Sequence, residues 1–148
     1  MGTLERTLQE LHEAKRAVEI SWLWDGGVDV KAGDEERNFG SVAEVRPWLE
    51  YWYGLEPDGT SDALETELQK IYDSEIHVTI RTGAEGIFVA LGNDFTGFAA
   101  ETNVTTAPEI LPRLQQAIHE RYGRSRYDVE RLGGTFTPQM AEIRLEGN

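Results

Sequence analysis

The side chains best suited to acid–base or metal chemistry are three histidines, His12, His77 and His119. No two of them have the i, i+4 spacing of an H-E-x-x-H helix, the pattern that places two imidazoles on one metal ion. We therefore predict three solvated histidines, with His77 on the solvent side of a strand and the other two on helix surfaces. The chain contains no cysteine, which excludes disulfides, thiolate catalysis and thiolate metal sites.

Carboxylates are abundant, with 27 Asp and Glu residues, and the densest group is Asp25, Asp29 and the run 34–36. This group lacks the alternating ligands, central glycine and final glutamate of a calcium-binding loop, so we predict a solvated turn. No serine has the context of a nucleophile elbow. We assign no catalytic residue, no metal ligand and no cofactor, and we predict that the chain is not an enzyme. Paired carboxylates in a cleft with raised pKa values would reopen that question.

The tryptophans are concentrated early in the chain, at positions 22, 24, 48 and 52, with none later. Tryptophan and tyrosine often anchor interfaces, and aromatic rings beside carboxylates favour cationic ligands. We predict a partner- or ligand-binding patch with an acidic rim, formed by Trp24, Trp48, Tyr51, Asp25, Glu44 and Glu50. In the alternative interpretation, Trp48, Tyr51 and Trp52 fill a seam inside the molecule or a homodimer contact.

The elements that carry these residues occur twice in the chain. Five blocks return in the same order: 4–11 as 64–71, 18–22 as 76–80, 27–34 as 86–93, 41–49 as 106–114, and 53–54 as 122–123, at offsets of 60, 58, 59, 65 and 69. We interpret this as a tandem duplication within a single domain, 1–148. Repeat one covers 3–57, repeat two covers 60–123, and 124–148 form a tail outside both repeats.

Each repeat has the periodicity of an α-β-β-β-α unit. Leu4, Leu8 and Leu11 recur at helical spacing, and Val18 and Ile20 alternate with polar residues as in a half-buried strand. The third strand of repeat one is predicted to be short or replaced by a loop. The fold class is therefore α+β, a pseudo-twofold arrangement in which an antiparallel sheet is covered on one face by helices.

The second helix of each repeat begins with a capping-box pattern, Ser41 to Glu44 and Thr106 to Glu109. Each pattern is followed by a proline, at positions 47 and 112, which would interrupt the hydrogen bonds of a helix interior. Two interpretations remain open: a kinked helix, or a capped turn followed by a helix that begins at the proline. In repeat one this helix would direct Val45, Leu49 and Trp52 inward.

The tail has its own pattern of alternating residues. Tyr127, Val129 and Arg131 alternate along one segment, and Ala141, Ile143 and Leu145 along another, with two glycines between them. We predict a pair of strands, so that the tail is rich in β-structure. Pro138 restricts such a pair to a sheet edge.

The formal net charge is −13, with −7 in residues 1–60, −6 in residues 61–123 and zero in the tail. Binding to nucleic acid requires cations that neutralise phosphates, and anionic membranes attract basic segments. We therefore predict no nucleic-acid partner and no membrane partner. There is no apolar run of ~20 residues as a membrane span requires and no secretory signal pattern at the N-terminus, so a cytoplasmic location is expected.

Two functions remain after these exclusions. The first is a non-catalytic acidic binding protein that contacts a basic macromolecule, such as an immunity protein, an inhibitor or a nucleic-acid mimic from a mobile element. The alternative is a small-molecule binding module for a cationic or amphiphilic ligand. Its pocket would lie between the repeats and be lined by Trp22, Trp24, Trp48 and Trp52.

Overall fold

The computed structural model describes residues 3–22, 27–55 and 63–137. Its six strands are β1 (Val18–Trp22), β2 (Val28–Ala32), β3 (Glu35–Phe39), β4 (Val78–Gly83), β5 (Gly86–Asn93) and β6 (Gly97–Val104). They form one antiparallel sheet in the order β3-β2-β1-β4-β5-β6. The α+β class with an antiparallel sheet is confirmed, and β3, with five residues against eight in β6, is the shorter third strand.

The two halves meet at the centre of the sheet, where β1 pairs with β4. Ile20 lies opposite Ile80, and Val18 lies opposite Thr82. Backbone hydrogen bonds therefore run without interruption from one edge of the sheet to the other. The two halves are joined by main-chain pairing as well as by side-chain packing.

Five helices accompany the sheet: α1 (Thr3–Glu13), α2 (Val45–Tyr53), α3 (Ala63–Asp73), α4 (Ile110–Arg121) and α5 (Arg126–Arg131). α1 packs over β4 and β5, and α4 packs over β5. Side chains from α1 to α4 join one buried cluster with Ile20, Val30, Ile80 and Val89 of the strands. Along the strands these buried residues alternate with Glu19, Lys31 and Arg81, whose side chains therefore point to the opposite face of the sheet. No described helix has the length and apolar composition of a membrane span.

The opposite face of the sheet carries a network of charges centred on Arg81. Its guanidinium group lies over the rings of Phe88 and Phe98, 5.3 and 5.0 Å from their centroids. The same group donates to the carboxylates of Glu19 and Asp94. Because neighbouring groups already bind this arginine, it stabilises the sheet face and is poorly placed to bind a ligand.

The structure corrects one part of the internal alignment. β1 begins at Val18 and β4 at Val78, an offset of 60 rather than the 58 predicted for this strand. Each strand is preceded by a helix, and two residues after the helix ends comes a left-handed residue, Lys15 with φ 58° or Glu75 with φ 63°. The hydrophobic alternation misled the alignment because a shift of two residues preserves the buried face of a strand.

Two glutamines at matched positions make equivalent hydrogen bonds between the two halves. Gln9 in α1 accepts a hydrogen bond from the backbone N–H of Ala107, at 2.7 Å, and Gln69 in α3 accepts one from Val42, also at 2.7 Å. Each glutamine therefore binds the start of a 3₁₀ turn in the opposite half. The turns span Val42–Glu44 and Ala107–Glu109.

These 3₁₀ turns resolve the question raised by the two prolines. α2 begins at Val45 and α4 at Ile110, each directly after its turn. Pro47 and Pro112 are therefore the third residues of their helices. The first four N–H groups of a helix have no partner within the helix, so proline costs no hydrogen bond at this position. A capped turn followed by a helix is therefore the correct interpretation, but each helix begins two residues before its proline and not at the proline as predicted.

The prediction of strands in the tail was wrong for its first segment. Residues Arg126–Arg131 form helix α5, and Ser125 caps it by accepting from the backbone N–H of Asp128. A buried Tyr127 and a buried Asp128 lie next to each other in sequence, which a strand with one buried face would not allow. The second segment, 141–145, and Pro138 lie outside the described residues.

Candidate functional site

The aromatic side chains of α2 form a layered surface at the edge of the fold. The rings of Trp48 and Trp52 stack with centroids 5.3 Å apart and planes at 18°. Trp48 is half-buried against Phe39 at 5.7 Å. Tyr51 is 84% exposed and Trp52 is 44% exposed. Trp48, Tyr51 and Trp52 are called the α2 aromatic surface below.

Helix geometry explains why this surface faces outward. Val45 and Leu49 are fully buried and define the inward stripe of α2. Trp48 and Trp52 follow each other by four residues along the flank of that stripe, and Tyr51 lies farther round toward solvent. The sequence prediction that Trp52 belongs to the inward stripe was wrong, because the helix buries Leu49 and places Trp52 against Trp48 instead.

The predicted acidic rim is only partly in place. Glu44 is exposed at the start of α2, where its carboxylate accepts from the backbone N–H of Ser41 at 3.0 Å. Glu50 is 3% exposed and cannot contribute to a rim, which corrects the sequence prediction. Trp24 and Asp25 lie outside the described residues.

Glu50 is buried because it belongs to an ionic cluster inside the molecule. Arg46 donates to Glu50 at 2.8 Å, and its Nε lies 3.6 Å from a carboxylate oxygen of Glu65 in α3. All three side chains are buried. At the matched positions of α4 the chain has Leu111 and Gln115, so only the first half supplies the Arg46–Glu50 pair, which meets Glu65 of the second half.

A cleft of about 490 Å³ lies beside the α2 aromatic surface. Its lining includes Trp52, Tyr53, Arg16, Asp34 and Glu35. The Arg16 guanidinium lies 5.8 Å from the ring centroid of Tyr53. Burial raises the pKa of Tyr53, and the charge of Arg16 opposes that shift. Asp34 and Glu35 place acidic groups beside Trp52, and the bases Lys15 and Arg16 line the same cleft.

The tryptophans of the first half do not share one pocket within the described residues. Trp22 stacks on Tyr72 at 6.1 Å and tilts against His77 at 4.5 Å. Its ring contacts are thus separate from those of Trp48 and Trp52, and the common aromatic pocket of the alternative function is not assembled in this part of the chain.

Each histidine forms a definite hydrogen bond. His12 Nδ1 lies 2.6 Å from the carbonyl oxygen of Gly83. His119 Nδ1 lies 2.8 Å from a carboxylate oxygen of Asp128, which is fully buried. His119 is exposed on α4, as predicted, with its side chain 59% accessible. The prediction was wrong for His12 and His77, which are half-buried and lie within hydrogen-bonding distance of backbone carbonyl oxygens. Contacts between distant segments produce these bonds, and spacing along the sequence does not reveal them.

A second cleft, of about 510 Å³, occupies the matched place in the second half. His77, Arg121 and Tyr122 supply its main polar side chains, and Leu91 and Phe98 contribute apolar walls. Sequence reasoning missed this group. The signal was present in the alignment, because at the offset of 60 His77 matches Ala17 and so is not required by the repeated fold.

A third cleft, of about 440 Å³, lies between α3 and α5. Its charged groups pair with one another: Lys70 with Glu67 at 3.2 Å and Arg126 with Glu130 at 2.9 Å. A ligand would have to displace these pairs, so this cleft is the weaker candidate. Among residues 3–22, 27–55 and 63–137, no group of three or more potential metal-binding side chains is found.

Comparisons of the chain with protein-family models, curated proteins and solved structures find no match.

Proposed function

We propose that this protein is a non-catalytic binding protein that uses the α2 aromatic surface to contact a basic macromolecule. The observation that carries the proposal is the 84% exposure of Tyr51 beside the stacked pair Trp48 and Trp52. Large aromatic side chains supply most of the binding energy at many interfaces.

The second half supports the proposal by contrast. The residues matched to Trp48, Tyr51 and Trp52 are Arg113, Gln116 and Ala117. The second half forms the matching helix with polar and small residues at these positions, so the fold does not require aromatic rings there. Their exposure in the first half is consistent with selection for contact.

Charge indicates the chemistry of the partner. The net charge of −13 gives the molecule a negative field, although the cleft that Trp52 borders is lined by two acids, Asp34 and Glu35, and two bases, Lys15 and Arg16. Oppositely charged surfaces accelerate association and disfavour partners of the same sign. A basic protein has the charge that this negative field attracts. One example is a nuclease, which an immunity protein or inhibitor neutralises. Another is a nucleic-acid-binding protein, whose binding site a nucleic-acid mimic occupies. The proposed location is the cytoplasm.

The test is co-purification of the full chain from extract at low and high salt, with wild type compared with Tyr51→Gln. Glutamine is the residue at the matched position 116, so the change is compatible with the frame. We expect a basic protein that is recovered with wild type, weakened at least tenfold by Tyr51→Gln, and released by salt. The control is Phe95→Ser, which removes another exposed aromatic ring. Recovery unaffected by Tyr51→Gln, or equally reduced by Phe95→Ser, would refute the proposal.

We also infer that the two halves arose by tandem duplication, with repeats 3–57 and 60–123. The reciprocal bonds of Gln9 and Gln69, the paired left-handed residues Lys15 and Glu75, and the matched 3₁₀ turns support this origin. Helix α5 lies beyond the repeated order, in the segment assigned to the tail.

A further inference from the structure

The cleft of the second half, lined by His77, Arg121 and Tyr122, is hereafter the His77 cleft. We infer that it binds a small organic monocarboxylate with an apolar ring and a hydrogen-bond donor. This site is distinct from the α2 aromatic surface, so either assignment could fail while the other holds.

The orientation of the His77 ring is fixed by groups outside the cleft. Its Nδ1 lies 2.8 Å from the backbone carbonyl oxygen of Trp22. A carbonyl oxygen only accepts hydrogen bonds, so the proton of the neutral ring is on Nδ1. Asn93 Nδ2, which lies 3.0 Å from Nδ1, then donates to the same carbonyl oxygen and not to the ring. The indole ring of Trp22, with its centroid 4.5 Å from that of the imidazole, packs against it.

Asn93 holds the same carbonyl in place. Its Nδ2 donates to Trp22 O at 3.0 Å, and its Oδ1 accepts from the backbone N–H groups of Phe95 and Thr96, both at 2.9 Å. These bonds fix the amide orientation. The second half therefore builds a support for His77 that the first half lacks, where the matched residues are Ala17 and Asp34.

With the proton on Nδ1, the second ring nitrogen of His77 carries a lone pair. No hydrogen bond joins Nε2 to the described part of the chain, and the residue lines the His77 cleft. A buried or half-buried acceptor is stabilised when a donor reaches it. This nitrogen therefore favours a ligand that offers a hydroxyl or N–H group.

Arg121 determines the charge of the ligand. It is exposed in the last turn of α4 and makes no ion pair with the described residues. A guanidinium group binds carboxylates through two parallel hydrogen bonds. Glu75 also lines the cleft, so a multiply charged anion would be repelled. The combination selects a single negative charge.

The remaining walls suit an aromatic or aliphatic body. Ile76, Leu91, Phe98 and Ala99 contribute apolar surface, and Tyr122 adds a ring at the end of α4. Sites for small ligands combine such walls with a few directed polar groups, and the volume of about 510 Å³ lies in the usual range. α4 is three residues longer than α2, and the added turn carries Arg121.

The experiment is an NMR titration of the full chain with para-hydroxybenzoate, following the imidazole signals of the three histidines. We expect a saturable shift at His77 in the millimolar range or below and no shift at His12. Arg121→Gln should weaken binding at least tenfold, and the neutral analogue para-hydroxybenzamide should bind at least tenfold more weakly. Arg113→Gln, an exposed arginine on the same helix, is the matched control and should bind like wild type.

His77→Leu identifies the signal and removes the acceptor, but it also removes the bond to the Trp22 carbonyl and so is the variant at risk of misfolding. Arg121→Gln changes an exposed side chain and keeps the test valid in that case. The inference is overturned by an absence of shifts at millimolar para-hydroxybenzoate, by equal binding of acid and amide, or by equal loss in Arg113→Gln.

Discussion

The two halves of this molecule share a frame and differ in the groups placed on it. Gln9 and Gln69 make the same 2.7 Å bond to opposite 3₁₀ turns. In contrast, α2 buries Arg46 and Glu50 where α4 has Leu111 and Gln115. The same backbone thus accommodates an ionic cluster in one half and an apolar and amide pair in the other.

The clefts beside the two helices differ in the same way. The cleft of the first half combines Trp52 and Tyr53 with two acidic and two basic side chains. The matched cleft of the second half has an oriented imidazole, one arginine and one glutamate instead. The comparison teaches that positions shared by the halves build the sheet and the turns, whereas differing positions are candidates for separate binding functions.

The largest effect should come from removing the charge that is specific to the first half. Arg46→Leu introduces the residue of the matched position and removes the guanidinium group that pairs with the buried carboxylates of Glu50 and Glu65. Breaking a buried ion pair costs about 3–5 kcal/mol, and we expect a loss of this size in the free energy of unfolding, measured with urea. Arg113→Leu, an exposed control on α4, should change it by less than ~0.5 kcal/mol. A loss below ~1 kcal/mol for Arg46→Leu would show that the cluster is dispensable.

A smaller effect, equal in the two halves, is expected at the shared glutamines. Gln9→Ala and Gln69→Ala each leave a backbone N–H without its side-chain partner, which costs about 1–3 kcal/mol. Urea unfolding of both variants should give losses that agree within ~0.5 kcal/mol. Gln116→Ala, on the exposed face of α4, is the control. Clearly unequal losses in the free energy of unfolding would contradict the structural equivalence of the halves.

An alkaline transition should mark the attachment of α5 to the second half. Tyr127 donates to Glu67 at 3.1 Å and accepts from Gln115 at 3.2 Å, and burial raises its pKa to about 12. The unfolded pKa is about 10, so the contribution of the protonated hydroxyl is complete below pH ~10 and is lost as the pH rises toward ~12.

We expect Tyr127→Phe to lower stability by about 1 kcal/mol at neutral pH and to flatten the decline above pH ~10. Urea midpoints across this range, together with phenolate absorbance, measure both effects. An identical alkaline decline in wild type and Tyr127→Phe would exclude Tyr127 as a source of it. Burial also raises the pKa of Tyr72 well above its usual value, and that residue remains in both proteins.

The smallest effect on stability should come from exchanging the outer residues of α2 and α4. Tyr51 is 84% exposed and Gln116 is exposed at the matched position. Tyr51→Gln and Gln116→Tyr should each change the free energy of unfolding by less than ~0.5 kcal/mol. A loss well above this value for Tyr51→Gln would mean that the tyrosine serves the fold rather than a contact.

Local patterns in the sequence predicted much of the frame. The capping boxes, the helical spacing of Leu4 and Leu8, and the alternation in β2 and β5 are set by neighbouring residues, so periodicity reveals them. The offset of β1 failed because a shift of two residues preserves its pattern, and α5 failed because alternation over a few residues is a weak signal. The exposed ring of Tyr51 followed from its position on the helix.

The unpredicted part of the site depends on contacts between distant segments. The sequence around Glu50 is typical of a surface acid. The packing of α2 against α3 places Arg46 and Glu65 beside it and buries it. His77 gained its orientation from the carbonyl of Trp22, 55 residues earlier. Burial and tautomer arise from tertiary structure, and neither has a signature in local spacing.

The central claim, that the α2 aromatic surface contacts a basic partner, is tested most directly by site-specific photocrosslinking. Benzoylphenylalanine is placed at position 51 in one chain and at the matched position 116 in another, and each is irradiated in cell extract. We expect a crosslinked adduct with a basic protein at position 51 only, lost at about 0.5 M salt, where charges are screened. Equal adducts at both positions, none at either, or an adduct with the mass of two 16.7 kDa chains would contradict the claim.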